Sequence, residues 1–200
     1  MAGRSRVPFV GLTGGIAAGK SEALKALERA GAATLSTDSV VHELLTTGEV
    51  RDKLVERFGE KVAPDGEIDR GAVADDVFGD DEQRKWLEEL LWPRVGERIA
   101  RWREEQDGAD PPPRAAVVEV PLLFESGMEQ AFDKTIAVVA DESTRAERAG
   151  SRGHRGVDER TSRQLSQDEK AQRADIVVHN DGSLEDLQRE LSSALAKMDP

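Results

Sequence analysis

Val7-Pro8-Phe9-Val10-Gly11-Leu12-Thr13-Gly14-Gly15-Ile16-Ala17-Ala18-Gly19-Lys20-Ser21 is the stretch on which the fold turns. Val7 to Leu12 is a short apolar run of strand length, and it stops at Thr13-Gly14-Gly15. From Ser21 to Ala30 the composition is helical, with Leu24 and Leu27 three residues apart on one face. The order is therefore strand, glycine turn, helix. Gly14-Gly15-Ile16-Ala17-Ala18-Gly19-Lys20-Ser21 also fits G-x-x-x-x-G-K-[ST], at the junction where that pattern has a mechanism. Glycines let the backbone fold tightly enough for successive N–H groups to face a phosphate, and the helix that follows adds its positive end.

Outward from this junction the pattern repeats. Gly31 stops the first helix, and Ala33 to Leu35 reads as a second strand leading into Thr37-Asp38. Ser39 to Gln106 reads as mainly helical. Its last helix carries Leu87, Leu91, Val95, Ile99 and Trp102 on one face, and Pro93 within it predicts a kink. Asp107 to Arg114, with Gly108 and three prolines, is a loop before a buried-strand candidate, Ala115 to Val118, that ends at Glu119. Thr135 to Val139 is another apolar run. An arginine-rich helical stretch follows from Glu142 to Arg173, broken by Gly150, Gly153 and Gly156. Ile176 to Val178 is a last short strand, and a terminal helix carries Leu184, Leu187, Leu191 and Leu195.

Strands alternating with helices predict an α/β fold of the P-loop NTPase type. Parallel strands need crossovers, so helices cover both faces of the sheet and the ligand lies at the strands' carboxyl ends. The 200 residues fit one domain. Residues 7–38, 115–141 and 174–200 would form its nucleotide core, residues 39–106 a helical insertion for the second substrate, and residues 142–173 a helical lid.

The formal net charge of −12 argues against a general nucleic-acid binder. Hydrophobic residues at 38% and charged ones at 34% fit a folded soluble domain. The absence of cysteine excludes disulfides, thiol nucleophiles and cysteine metal sites, and fits a reducing cytoplasm. The first residues read as neither signal peptide nor membrane span. A cytoplasmic monomer or weak homo-oligomer with no nucleic-acid or membrane partner is the expectation.

Within the motif, Lys20 would neutralise the β- and γ-phosphates of ATP, and Ser21 would offer its hydroxyl to Mg²⁺. Asp38 has two readings. It could accept the proton of an acceptor hydroxyl, or it could cap the helix that contains Val40, Val41 and Leu44. Glu119 stands either at the metal's water shell or as a solvent-facing strand end. Arginines 145, 148, 152, 155, 160 and 163 suit a flap over polyphosphate, or a solvated face paired with neighbouring acids. His42, His154 and His179 lack metal-ligand spacing, and no zinc site is assigned to them.

Gly11-Leu12-Thr13-Gly14-Gly15-Ile16 through Ser21 resembles the opening of dephospho-coenzyme A kinases. So do Pro64-Asp65-Gly66-Glu67-Ile68-Asp69-Arg70, Val120-Pro121-Leu122-Leu123-Phe124-Glu125, and the ending that carries Gln164, Lys170, Ala174-Asp175 and Asn180-Asp181-Gly182. The resemblance spans residues 7–195. It implies MgATP-dependent phosphorylation of the ribose 3′-hydroxyl of dephospho-CoA. It further implies Asp38 as general base, Lys20 as the phosphate-loop lysine and Arg145 as the first lid arginine. Arg70, Pro121 and Leu122 would lie near the acceptor, and Asn180 by the adenine. This chain departs from the family pattern at Ser36, Trp92, Glu119 and Ala149, the last of which leaves Arg148 or Arg152 to reach the phosphates. A kinase for another nucleotide or nucleoside, and a nucleotide-binding regulatory homologue, are the alternatives. No Asn-Lys-x-Asp segment speaks for a GTPase.

Overall fold

The structure, a computed structural model, describes residues 6–150 and 164–198. The elements run β1 (Phe9–Gly14), α1 (Lys20–Arg29), β2 (Ala33–Ser36), α2 (Thr37–Leu45), α3 (Gly48–Phe58), α4 (Arg70–Val77) and α5 (Asp81–Asp107). They continue with β3 (Ala116–Glu119), β4 (Lys134–Val139), α6 (Glu142–Gly150), α7 (Gln167–Arg173), β5 (Ile176–His179) and α8 (Leu184–Ala196).

The strands form one sheet in the order β2-β3-β1-β4-β5, every pairing parallel. Parallel strands are covered on both faces, so they read as continuous apolar runs rather than alternating ones. All six residues of β1 are buried, as are all four of β3 and the last five of β4. The core beside the sheet joins Val10, Leu12, Val117, Ile136 and Val138 to Ala23 and Leu27 of α1 and to Leu187, Leu191 and Leu195 of α8. Each large side chain buried there contributes roughly 1.5–3 kcal/mol against leaving it in water.

The chain divides into two compact units, one from the residues before Thr37 and after Trp102, the other Thr37–Trp102. In the second, Val50 and Leu54 of α3, Val62, Val73 of α4, and Leu90 and Leu91 of α5 make a separate core. Asp69 caps α4, accepting from the amides of Gly71 at 2.8 Å and Ala72 at 3.2 Å. That cap sets Arg70 at the first helical position, with its side chain exposed. The spacing of α5 is as read, with Leu91, Val95, Ile99 and Trp102 buried. The helix is continuous through Pro93, which with Trp92 occupies the exposed side, where water can serve the carbonyl that proline leaves without a donor.

Asp175 fixes the start of β5 against β4. Its carboxylate accepts from the amide and the hydroxyl of Thr135, both at 2.8 Å, and its own amide donates to that hydroxyl at 3.0 Å. Burial disfavours the ionised form, but the bonds from Thr135 and the nearby Lys134 outweigh it and hold the carboxyl below the usual aspartate range. A depressed carboxyl stabilises the fold above its unfolded pKa and loses that contribution as pH falls through the folded value. Asp175→Ala is expected to cost about 1–3 kcal/mol, since it strands the buried Thr135 amide, and to flatten the acid limb of stability against pH. Urea melts of both proteins across the acid range check it.

Candidate active site

β1 delivers the chain to the carboxyl end of the central strand, where residues 15–19 wrap into the first turn of α1. Gly19 precedes the helix with φ +95°, and Ala17 also takes a left-handed conformation, φ 61°. For an L-residue that conformation costs about 1–2 kcal/mol, strain of the kind that gathers at functional sites. The glycines are required by contact as well. A Cβ on Gly14 would lie 2.3 Å from the carbonyl oxygen of Val138, and one on Gly19 would lie 2.1 Å from Nδ2 of Asn180.

Lys20 folds back over the loop, its Nζ donating to the carbonyls of Gly14 at 3.2 Å and Gly15 at 3.1 Å. Arg145 of α6 reaches the same place. Its Nη1 lies 3.1 Å from where a Cβ on Gly15 would stand, and its guanidinium pairs with Glu142. Arg148, one turn later, brings Nη1 to 3.6 Å from the corresponding position on Gly19. Two arginines thus face the loop from α6, Arg145 at the place of the family's first lid arginine and Arg148 one residue before the place of its second, where this chain has Ala149. Arg152, Arg155, Arg160 and Arg163 lie outside the described residues. Gly15, Ile16, Glu142, Arg145 and residues 164–168 line a cleft of about 290 Å³.

Asn180 is buried behind the loop, and its Nδ2 donates to the carbonyl of Ala18 at 2.8 Å. Its amide is thus engaged in holding the loop, a contact invisible to spacing because the partners are 162 residues apart. Gly19→Ala drives a methyl group into this contact and into an unfavourable backbone conformation. It is expected to destabilise by about 1–3 kcal/mol and to weaken MgATP binding, as thermal melting and titration calorimetry would read.

Glu119, at the end of β3, is buried between Leu12 of β1 and Ser36 of β2. Ser21 is exposed in the first turn of α1. These hard oxygen donors suit Mg²⁺, which keeps much of its water and takes few protein ligands besides substrate phosphates. Among the described residues no group of three or more His, Cys, Asp or Glu could cage a metal.

Pro121 and Leu122 lie in the turn after β3, both partly buried. The carbonyl of Pro121 accepts from the hydroxyl of Thr13 at 3.3 Å and from Nζ of Lys170 at 2.6 Å. Lys170 is wholly buried and pairs with Glu125 at 3.1 Å. Burial pulls its pKa below the ordinary lysine range, against the hydrogen bond and charge of Glu125. The fixed place of Lys170 in the ending was legible from sequence, but its burial was not.

In the second unit, Asp38 lies within the first turn of α2 with its carboxylate exposed, inside the helix rather than at its cap. His42 follows one turn later, where α-helical spacing puts it on the same face as Asp38. Its Nδ1 lies 3.5 Å from Nη1 of Arg70. A histidine without ligand spacing therefore stands beside the arginine read as acceptor-binding, a tertiary contact that the sequence pattern does not encode.

A glycine cradle at the end of a central parallel strand, entered by a lysine and overhung by arginines from a later helix, defines a P-loop phosphotransferase of the small-molecule kinase type. The family model described as dephospho-CoA kinase matches residues 8–186. A dephospho-CoA kinase of Symbiobacterium thermophilum is 37% identical over 191 residues, covering 93% of this chain and 79% of that one. The crystal structure of TT1252 from Thermus thermophilus is 33% identical, with a TM-score of 0.80 over 98% of this chain and 100% of that one. The structure of dephospho-CoA kinase from Campylobacter jejuni, 23% identical, shares the fold at a TM-score of 0.67 over 98% and 99%. The chain belongs to the dephospho-CoA kinase family.

Proposed function

We propose that this protein transfers the γ-phosphoryl group of ATP to the ribose 3′-hydroxyl of dephospho-CoA, forming coenzyme A and ADP. The observation that carries the reading is the loop itself. The Lys20 ammonium lies over the Gly14 and Gly15 carbonyls and the Arg145 guanidinium over Gly15, in a chain that is 37% identical to a dephospho-CoA kinase. Positive charge held in place where negative charge develops is the main catalytic device in phosphoryl transfer, because the chemistry needs positioning and electrostatics more than covalent help.

In this reading the loop amides and Lys20 hold the β- and γ-phosphates, and Arg145 neutralises the group in flight. Arg148 takes the part of the arginine absent at position 149. The hydroxyl of Ser21 and, through water, the carboxylate of Glu119 would hold Mg²⁺, whose charge offsets that of the phosphates. Asp38 accepts the proton of the 3′-hydroxyl as its oxygen attacks phosphorus, and Arg70, Pro121 and Leu122 hold the acceptor. Asn180 braces the loop from behind and borders the nucleotide. Residues 39–106 would serve the acceptor and residues 142–173 would form the lid. No helix among the described residues is long and apolar enough to cross a membrane. A cytoplasmic monomer or weak homo-oligomer, without nucleic-acid or membrane partners, is the setting this reading supposes.

The test is ADP release from MgATP with and without dephospho-CoA, with the product weighed by mass spectrometry. Acceptor-dependent ADP matched by coenzyme A supports the reading. MgATP binding without coenzyme A formation sinks it in favour of a regulatory nucleotide binder, and ADP release with another nucleoside or nucleotide acceptor redirects it.

A further inference from the structure

Lys170 has no place in the chemistry just described, yet it is a fully buried lysine. Its Nζ donates to the Pro121 carbonyl at 2.6 Å and pairs with Glu125 Oε1 at 3.1 Å. The same carboxylate oxygen accepts from the amide of Leu165 at 2.8 Å, two residues before α7 begins. On that helix's first turn, Gln167 donates through Nε2 to the Ala140 carbonyl at 2.9 Å and accepts through Oε1 from the Ala140 amide at 3.2 Å. The side chain of Gln167 thereby continues the hydrogen bonding past the end of β4. Its Cβ is 3.3 Å from where a Cβ on Gly15 would stand, so the turn abuts the phosphate loop. The Pro121 carbonyl is shared with the hydroxyl of Thr13, the residue before Gly14.

These bonds form one chain of contacts from the loop, through α7, to the turn after β3 and back to the last residues of β1. An ion pair removed from water is poor value as a stabiliser compared with apolar side chains of similar volume. What it supplies is direction, because each charge accepts few partner geometries. Here the directions it sets end at Leu165, which lines the cleft beside the loop, and at Pro121, whose carbonyl also takes the hydroxyl of Thr13 just before the loop.

Resting on the functional reading above, we infer that Lys170 and Glu125 are positioning residues for phosphoryl transfer: their buried pair sets where the first turn of α7 and the Pro121 turn stand against the phosphate loop. Neither touches the reacting atoms. They act through Leu165, Gln167 and Pro121. Loss of the pair lets α7 and the Pro121 turn shift, which loosens the phosphates and admits water as the attacking oxygen. Hydrolysis then yields ADP and inorganic phosphate with no product on the acceptor.

Lys170→Met and Glu125→Gln test this at a temperature well below each variant's thermal midpoint, by MgATP affinity from calorimetry, kcat, and the ratio of ADP to coenzyme A formed. Lys170→Met is expected to bind MgATP at least several-fold more weakly, to lose on the order of 10²-fold in kcat, as a misplacement near 1 Å does, and to raise the ratio above that of the wild type. Glu125→Gln keeps an acceptor for Leu165 but removes the charge, and moves the same readouts in the same direction by less. A brace that serves stability alone would lower the thermal midpoint and leave all three readouts at wild-type values, and that result overturns the inference. Should Lys170→Met fail to fold, Glu125→Gln decides by the same readouts. If the wild type binds MgATP but phosphorylates no dephospho-CoA, the functional reading falls, and the MgATP affinities of the variants still decide the positioning role.

Discussion

Lys20→Ala is expected to lower kcat by about 10²–10³-fold, the loss that follows removal of a single pre-placed charge-stabilising donor from an active site. The structure explains why so large a kinetic effect should come with little change in stability. The ammonium donates to two loop carbonyls, those of Gly14 and Gly15, and the side chain is only partly buried. Gly14 and Gly15 are themselves buried, so withdrawing the donor costs on the order of 1 kcal/mol, small beside the kinetic loss. The expectation is a protein that melts a few degrees below the wild type, binds MgATP more weakly, and turns over at the edge of detection. Steady-state ADP release with dephospho-CoA, set beside a thermal melt, checks both halves. A variant retaining more than about a tenth of the wild-type kcat would show that Arg145 and the loop amides suffice, and the role given to Lys20 would fall.

Both the phosphate loop and the sheet were legible because their signals are local. A strand, a glycine turn and a helix within fifteen residues fix one another, and the runs Val7 to Leu12, Ala115 to Val118 and Thr135 to Val139 mark the buried strands Phe9–Gly14, Ala116–Glu119 and Lys134–Val139. What escaped reading depends on partners far apart in the chain. Asn180 meets Ala18 and Lys170 meets Pro121 across 162 and 49 residues. Periodicity carries no record of either contact. Pro93 stands on the exposed side of α5, where water can serve the carbonyl it frees, and the helix is not ended there. Ala17 takes its positive φ at a position where the motif tolerates any residue, so the strain follows from the turn the loop makes and not from the identity of the side chain.

For Asp38 the sequence left base and helix N-cap equally open, and α2 rules out the cap by placing the carboxylate, exposed, inside the helix's first turn, where its remaining structural part is that of an acid at the helix's positive end. Asp38→Asn separates the two. Asparagine keeps the size and can still hydrogen-bond, but it cannot take a proton at neutral pH. If Asp38 is the general base, kcat falls by about 10²–10⁴-fold while MgATP affinity, set by the loop, holds near the wild-type value. If it acts as a helix-terminal acid, the change removes a favourable charge from the positive end of α2, costs about 0.3–1 kcal/mol of stability, and leaves kcat within a few-fold. The two outcomes differ in which observable moves, so one preparation measured for kcat, MgATP affinity and urea midpoint decides between them. The first is expected, because a 3′-hydroxyl is a poor nucleophile until its proton is claimed, and Asp38 offers an exposed carboxylate inside a helix's first turn, open to take it.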